Sequence, residues 1–264
     1  MIHEIIRQRK PLIHCITNPI SINQCANLIL AIGCRPIMAE HPAEVREITR
    51  TSASLLLNLG NITDARMESI PLAADEAAHS SIPIVLDAVG VACSSLRRGF
   101  VYDFLKTHTP TVLKGNYSEI KALYDAEYLG VGVDADSSLT VPEISTCAIK
   151  LSRKHNCIIL ASGKTDIVTD GKRMIHISNG CMQLGKITGS GCMLGAAVAC
   201  FLTESQSITA AAHACAFLGI CGELSESELG CGTFSAKLMD KLSTLTPAEL
   251  EKYMKMEEID VENL

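Results

Sequence analysis

Residues 54–87 read SLLLNLGNITDARMESIPLAADEAAHSSIPIVLD. The stretch opens on a largely apolar run, Ser54–Leu59, and closes on a second apolar run, Pro83–Leu86, ended by Asp87. Between them, Asp64 to about Ser80 has the length and composition of a helix. A strand with no polar alternation must be covered on both faces, and two such strands joined by a helix make a parallel crossover unit. The same pattern recurs on either side. Pro11–Ile16, Arg35–Met38, Thr111–Leu113 and Cys157–Ala161 read as strands. Ser21–Ile32 and Pro42–Thr51 read as helices, the latter from its leading proline and early acidic residues. Alternating strands and helices predict an α/β fold, a three-layer α/β/α sandwich with a mostly parallel central sheet.

After Ala161 the texture changes. Asp166–Asp170 and Met174–Ser178 flank an Asp170-Gly171 turn, a hairpin signal. Gly191–Leu202, Ser207–Leu224 and Thr233–Leu242 read as helices, and Leu129–Ser138 as a surface loop. With no repeat or low-complexity linker, the 264 residues are expected to form one domain spanning 1–264. A chain of this length buries roughly three quarters of its unfolded surface and needs no covalent staple.

Hydrophobic residues make up 47% of the chain and aromatics 4%, so the core must be built from aliphatic side chains. A net charge of −6 argues against nucleic acid or an anionic membrane as the main partner. The apolar stretches 187–202 and 208–220 fall short of the roughly 20 residues of a membrane span. The 12 cysteines form no CxxC pair and sit mostly in apolar surroundings. Together with a charged N-terminus lacking a cleavable apolar leader, they predict reduced thiols in a cytoplasmic protein.

In an open parallel sheet, ligands bind beyond the carboxyl ends of the strands. The residues there are Asp87-Ala88-Val89-Gly90, Lys114-Gly115-Asn116, Ser162-Gly163 and Thr188-Gly189-Ser190-Gly191-Cys192. The last precedes a long apolar helix, so backbone amides of Gly189, Ser190 and Gly191 can form an anion hole at a helix N-terminus. A Gly-rich cap with no ligand gives the same pattern, and no GxxxxGK[ST] loop occurs. Asp87 and Glu119 can hold Mg²⁺, or simply cap and solvate. Lys114 can neutralise phosphate, or simply extend into water. Cys192, at the start of the helix, can act on a substrate proton or merely pack, and reactive cysteines favour such helix starts. A thiol enzyme using Cys192 with a histidine is a separate alternative. His14 reads as a strand residue bonded to backbone, His213 as a core residue, and Met182, Met193 and Met239 as core filler.

HCITN (14–18), PIMAEHPAEV (36–45), LLLNLG (55–60), IVLDAVGV (84–91), KGNYSEI (114–120) and ITGSGCML (187–194) occur in that order. Together they closely resemble the hydroxyethylthiazole kinase family of the ribokinase-like class, and the likeness covers nearly the whole chain. The resemblance implies ATP-dependent phosphorylation of the thiazole alcohol in thiamine salvage, with Mg²⁺ as cofactor and ATP as co-substrate. It assigns Met38, Gly189 and Asn18 to the substrate. Lys114, Ser162 and Asn116 go to ATP, Asp87 and Glu119 to the metal, and Cys192 to catalysis. It further implies a homotrimer with the substrate site between subunits, where Asn18 and Met38 serve a neighbour. A kinase for another small alcohol, such as hydroxymethylpyrimidine, a related nucleotide-hydrate dehydratase and a catalytically silent binder remain as alternatives. The chain departs from the family pattern in KGN for the usual RGN and LDAVG for LDPVG. Both departures bear on nucleotide affinity.

Overall fold

The computed structural model describes residues 2–130 and 138–261. The chain begins with helix α1 (Ile2–Arg9), strand β1 (Leu12–Ile16), α2 (Ile22–Ile32), β2 (Arg35–Ile37) and α3 (Val45–Arg50). The crossover unit read from 54–87 follows as β3 (Ser54–Asn58), α4 (Asp64–His79) and β4 (Ile84–Asp87). Next come α5 (Ser95–Thr107), β5 (Val112–Asn116), α6 (Tyr117–Tyr124), α7 (Val141–His155) and β6 (Ile158–Ser162). The hairpin is β7 (Asp166–Thr169) and β8 (Met174–Ile177), and α8 (Ser190–Phe201), α9 (Ile208–Glu223), α10 (Cys231–Thr244) and α11 (Pro247–Tyr253) precede a last strand β9 (Met256–Ile259).

Among the described residues, nine strands form one sheet in the order β2-β1-β3-β4-β5-β6-β7-β8-β9. Pairings from β2 to β6 are parallel, and those from β6 to β9 antiparallel. Alternate residues of each strand face opposite ways, which divides the core in two. Leu56, Val85, Val112 and Leu160 join the apolar faces of α2, α8 and α9. Leu55, Leu57, Leu86 and Leu113 pack with α4, α6 and α7 on the other side. Helices α8 and α9 are buried almost all round. Their Ala and Gly content is what lets them lie close together and close to the sheet. Among the described residues, no helix is long and apolar enough to cross a membrane.

Several expectations need correcting. Strand β5 continues through Lys114 to Asn116 instead of stopping at Leu113, so Lys114 is a strand residue. Helix α3 starts at Val45, after turns at 42–44. Met182 is 82% exposed and fills no core, whereas Met193 is buried and Met239 packs on the core edge. His213 is half-buried rather than enclosed, and desolvation lowers its pKa. The loop expected at Leu129–Ser138 lies largely outside the described residues, at 131–137. The twelve cysteines form no disulfide; eight are buried, and Cys93 and Cys231 are exposed.

Candidate active site

The parallel register lines up three polar residues at the carboxyl ends of neighbouring strands. Asn58 on β3 stands opposite Asp87 on β4, and Asp87 opposite Lys114 on β5. Their apolar neighbours Leu57, Leu86 and Leu113 turn to the α4 side, so the row turns to α8. The two strictly polar contacts follow directly. Asn58 Nδ2 donates to Asp87 Oδ2 at 2.9 Å, and Lys114 Nζ pairs with Asp87 Oδ1 at 2.9 Å. None of the three is more than 3% exposed. Lys114 is therefore no solvated lysine.

Above this row sits the first turn of α8. Gly189 is its N-cap at φ +87°, a left-handed conformation that a side chain would strain. An added Cβ there would also meet Ser21 Cβ at 2.8 Å. Further along, a Cβ on Gly195 would lie 3.3 Å from Asp87 Oδ2, and one on Gly191 would lie 3.8 Å from Lys114 Nζ. Small residues thus bring the helix start down onto the charged row. The amides of the first helical turn have no intrahelical acceptor, and Met193 is the first to bond back, to Gly189 O at 2.8 Å. Backbone N–H groups, the helix dipole and the Lys114 ammonium converge there, as an anion requires.

Cys192 lies in this first turn, half-buried. Its sulfur receives Asn58 Nδ2 and Asn18 Nδ2, each at 3.3 Å. No histidine is among its hydrogen-bond partners in the described residues. His14 instead bonds Thr49 Oγ1 and Ala39 O, both at 2.9 Å, and so anchors the segment carrying Met38. The thiol-enzyme alternative loses its base. Asn18 reaches the Cys192 of its own chain. Met38 is partly buried and packs against the core on the side of the sheet that α2, α8 and α9 cover.

Glu119 completes the rim. Its Oε1 accepts from Gly90 N at 2.7 Å and its Oε2 from Asn116 N at 2.7 Å. The Asn116 side chain in turn accepts from Glu119 N, so the two form a capping box that starts α6. Arg98 holds the loop after Asp87 by donating to the carbonyls of Val91 and Ala92. Ala88 N donates to Lys114 O at 2.8 Å, a bond that a proline at this position could not make. The two departures from the family pattern are thus in direct contact.

Burial pushes Glu119 up to about 7, helped by the charge of Asp87 and opposed by Lys114 and the two backbone amides. Burial also raises Asp87, against the pull of Lys114 and Asn58. For Lys114 burial alone would lower the pKa, but Asp87, Glu119 and Cys192 outweigh it and the ammonium is held charged. Two carboxyl groups thus share one lysine, and burial holds both above the usual carboxylate range. Among the described residues, no group of three or more His, Cys, Asp or Glu could form a closed metal cage. The donor set fits a cation such as Mg²⁺ that keeps its waters and takes its other oxygens from phosphate.

A cleft of about 670 Å³ opens beside the helix start, lined by Ser162, Gly163, Asp166, Ser190, Gly191 and Cys215 among others. This size is typical of a small-ligand site. Ser162, at the end of β6, donates to Gly115 O at 3.4 Å. Asp166 accepts from Gly163 N at 3.0 Å, and burial pushes its carboxyl up to about 7. The expected residues Asp87, Lys114, Glu119, Gly189, Gly191, Cys192 and Asn18 are brought together, with Ser162 and Asn116 along the adjoining rim. Sequence reasoning passed over Asn58 and Asp166. The first was visible only as a polar residue among the leucines of SLLLNL.

The model of the hydroxyethylthiazole kinase family matches residues 3–248. A protein of Clostridium botulinum (strain 657 / Type Ba4) named hydroxyethylthiazole kinase 2 is 43% identical over 250 residues, covering 93% of this chain and 94% of its own. A hydroxyethylthiazole kinase of Finegoldia magna is 42% identical over 259 residues, covering 98% and 96%. Among solved structures, a hydroxyethylthiazole kinase protein from Pyrococcus horikoshii superposes with a TM-score of 0.90 at 30% identity, covering 98% of each chain. The pyridoxal kinase of Staphylococcus aureus in complex with ADP gives 0.67 at 15% identity over 96% of this chain and 99% of its own, a likeness of fold alone.

Proposed function

The chain belongs to the hydroxyethylthiazole kinase family, and from that premise we propose that it moves the γ-phosphoryl group of ATP onto the hydroxyl of 4-methyl-5-(2-hydroxyethyl)thiazole, a step of thiamine salvage. The observation that carries the reading is the meeting of the α8 start with the buried Asp87–Lys114 pair, beside a cleft of nucleotide size.

The alcohol oxygen forms a bond to the γ-phosphorus while the bond from that phosphorus to the bridging oxygen breaks, and the electron pair leaves with ADP. Such transfers run through a loose transition state, so positioning and charge stabilisation supply most of the catalysis. The amides of Gly189, Ser190 and Gly191 and the Lys114 ammonium face the charge spread over the transferring oxygens. Cys192 orients the alcohol and takes its proton late. Mg²⁺, when bound with the nucleotide, neutralises phosphate charge, and Asp87 and Glu119 are the side chains that would hold it. Ser162 and Asn116 line the nucleotide side, and Met38 with Asn18 the thiazole side.

The rest of the reading is one kinase domain over residues 1–264 and a cytoplasmic location, both read from the sequence, and, from family resemblance, a homotrimer with Met38 at a pocket between subunits. Light scattering tests the trimer. The activity is tested by following ATP consumption with and without the thiazole. Consumption that depends on the thiazole is expected, and thiazole-independent hydrolysis alone would overturn the proposal.

A further inference from the structure

The amides of Asn18 and Asn58 have orientations fixed by backbone donors. Asn18 Oδ1 accepts from Ile20 N and Ser21 N, both at 3.1 Å, so the nitrogen must be its other terminal atom. That nitrogen gives one N–H to Asn58 Oδ1 at 3.0 Å and one to Cys192 Sγ. Asn58 Oδ1 also accepts from Gly60 N at 2.9 Å, which fixes the second amide in turn. Its two N–H groups then go to Asp87 Oδ2 and Cys192 Sγ. Every hydrogen of both amides is committed, and no alternative flip satisfies the network.

The sulfur consequently faces two donors and must act as acceptor toward both. Its remaining lone pair, or its S–H when protonated, can point only to the open side of the half-buried residue. We infer that Asn58 is a positioning residue for the transfer: it fixes the Cys192 sulfur toward the incoming alcohol and ties it to the Asp87–Lys114 pair. Asn58 does this from full burial, without touching substrate. The inference rests on the kinase reading for its consequence, but its geometry stands on the hydrogen bonds alone.

The test uses N58D and N58S, with the intact chain. N58D replaces two donors by acceptors beside Asp87; N58S leaves a small hydroxyl that cannot span both partners. Turnover is expected to fall at least thirtyfold in each, with KM for ATP within threefold of wild type. Independently of activity, iodoacetamide alkylation of Cys192, followed by peptide mass spectrometry with exposed Cys231 as internal reference, should slow at least fivefold. An unchanged alkylation ratio in folded variants overturns the inference. If neither variant folds, the asparagine side-chain amide resonances of the wild type are compared with those of C192A. Signals of Asn18 and Asn58 should both shift, and unmoved signals overturn it. A wild type that phosphorylates no thiazole would defeat the kinase reading while leaving the alkylation result to decide on Asn58.

Discussion

Lys114→Met isolates the charge pair at the centre of the site. Lys114 Nζ lies 2.9 Å from Asp87 Oδ1, and the two side chains are 4% and 0% exposed. At an effective dielectric of about 20 the gross attraction is about 6 kcal/mol. Much of it offsets the cost of taking both charges out of water, so the pair contributes far less than that to net stability. Removing one partner is a different matter, because Asp87 stays buried with Asn58 as its remaining donor. The expected loss is about 3–5 kcal/mol. Its pH dependence follows from the sign of the Asp87 shift. Burial already raises this carboxyl in the native protein, and losing the ammonium raises it further. Between the unfolded value, about 3.9, and the native one, the native state holds a proton that the unfolded chain has released. Stability in that window falls as pH rises, by up to about 1.4 kcal/mol per unit. Urea denaturation at pH 5, 6.5 and 8 should therefore show a deficit that is smallest at pH 5 and largest at pH 8. The double variant D87N/K114M should recover most of it at pH 8. A deficit below about 1 kcal/mol at every pH, or one that grows on acidification, would contradict a buried Asp87 left without its counter-charge.

Replacing Cys192 with Asp should preserve or raise turnover, since a carboxylate fills a base-like role better, whereas C192A should lose about tenfold or more; steady-state kinetics decides, and a large loss in C192D contradicts the role. Gly189→Ala forces a side chain into φ +87° and within 2.8 Å of Ser21 Cβ, which should cost about 1–2 kcal/mol in a denaturation curve and raise KM for the alcohol. In the metal-free protein the Glu119 carboxyl, pushed up by burial, should titrate at about 7 by carboxyl-carbon NMR, and E119Q should remove that titration along with most activity; a Glu119 signal that titrates at about 4 would contradict it.

The sheet was legible because buried parallel strands need strongly apolar runs, and SLLLN and IVLD are apolar but for their ends. Helix α5 was not, since its buried face includes Arg98, whose guanidinium is satisfied by loop carbonyls that only the fold assembles. Strand β9 reads MEEI, too short and too charged to announce itself, and exists by pairing with β8 at the sheet's edge. At the site, the glycines at the start of α8, the acid that ends β4 and the acid after β5 showed in the sequence. The burial of Lys114 did not, because it depends on the register that sets it beside Asp87. Asn58 escaped for a similar reason. Its side-chain partners lie 29, 40 and 134 residues away along the chain.

The most direct measurement is mass spectrometry of the wild-type chain incubated with MgATP and hydroxyethylthiazole. A thiazole product heavier by one phosphoryl group, formed in step with one ADP, is predicted. ATP left intact, or turned over with the thiazole unmodified, would contradict the assignment of the α8 start and the Asp87–Lys114 pair as a phosphotransfer site.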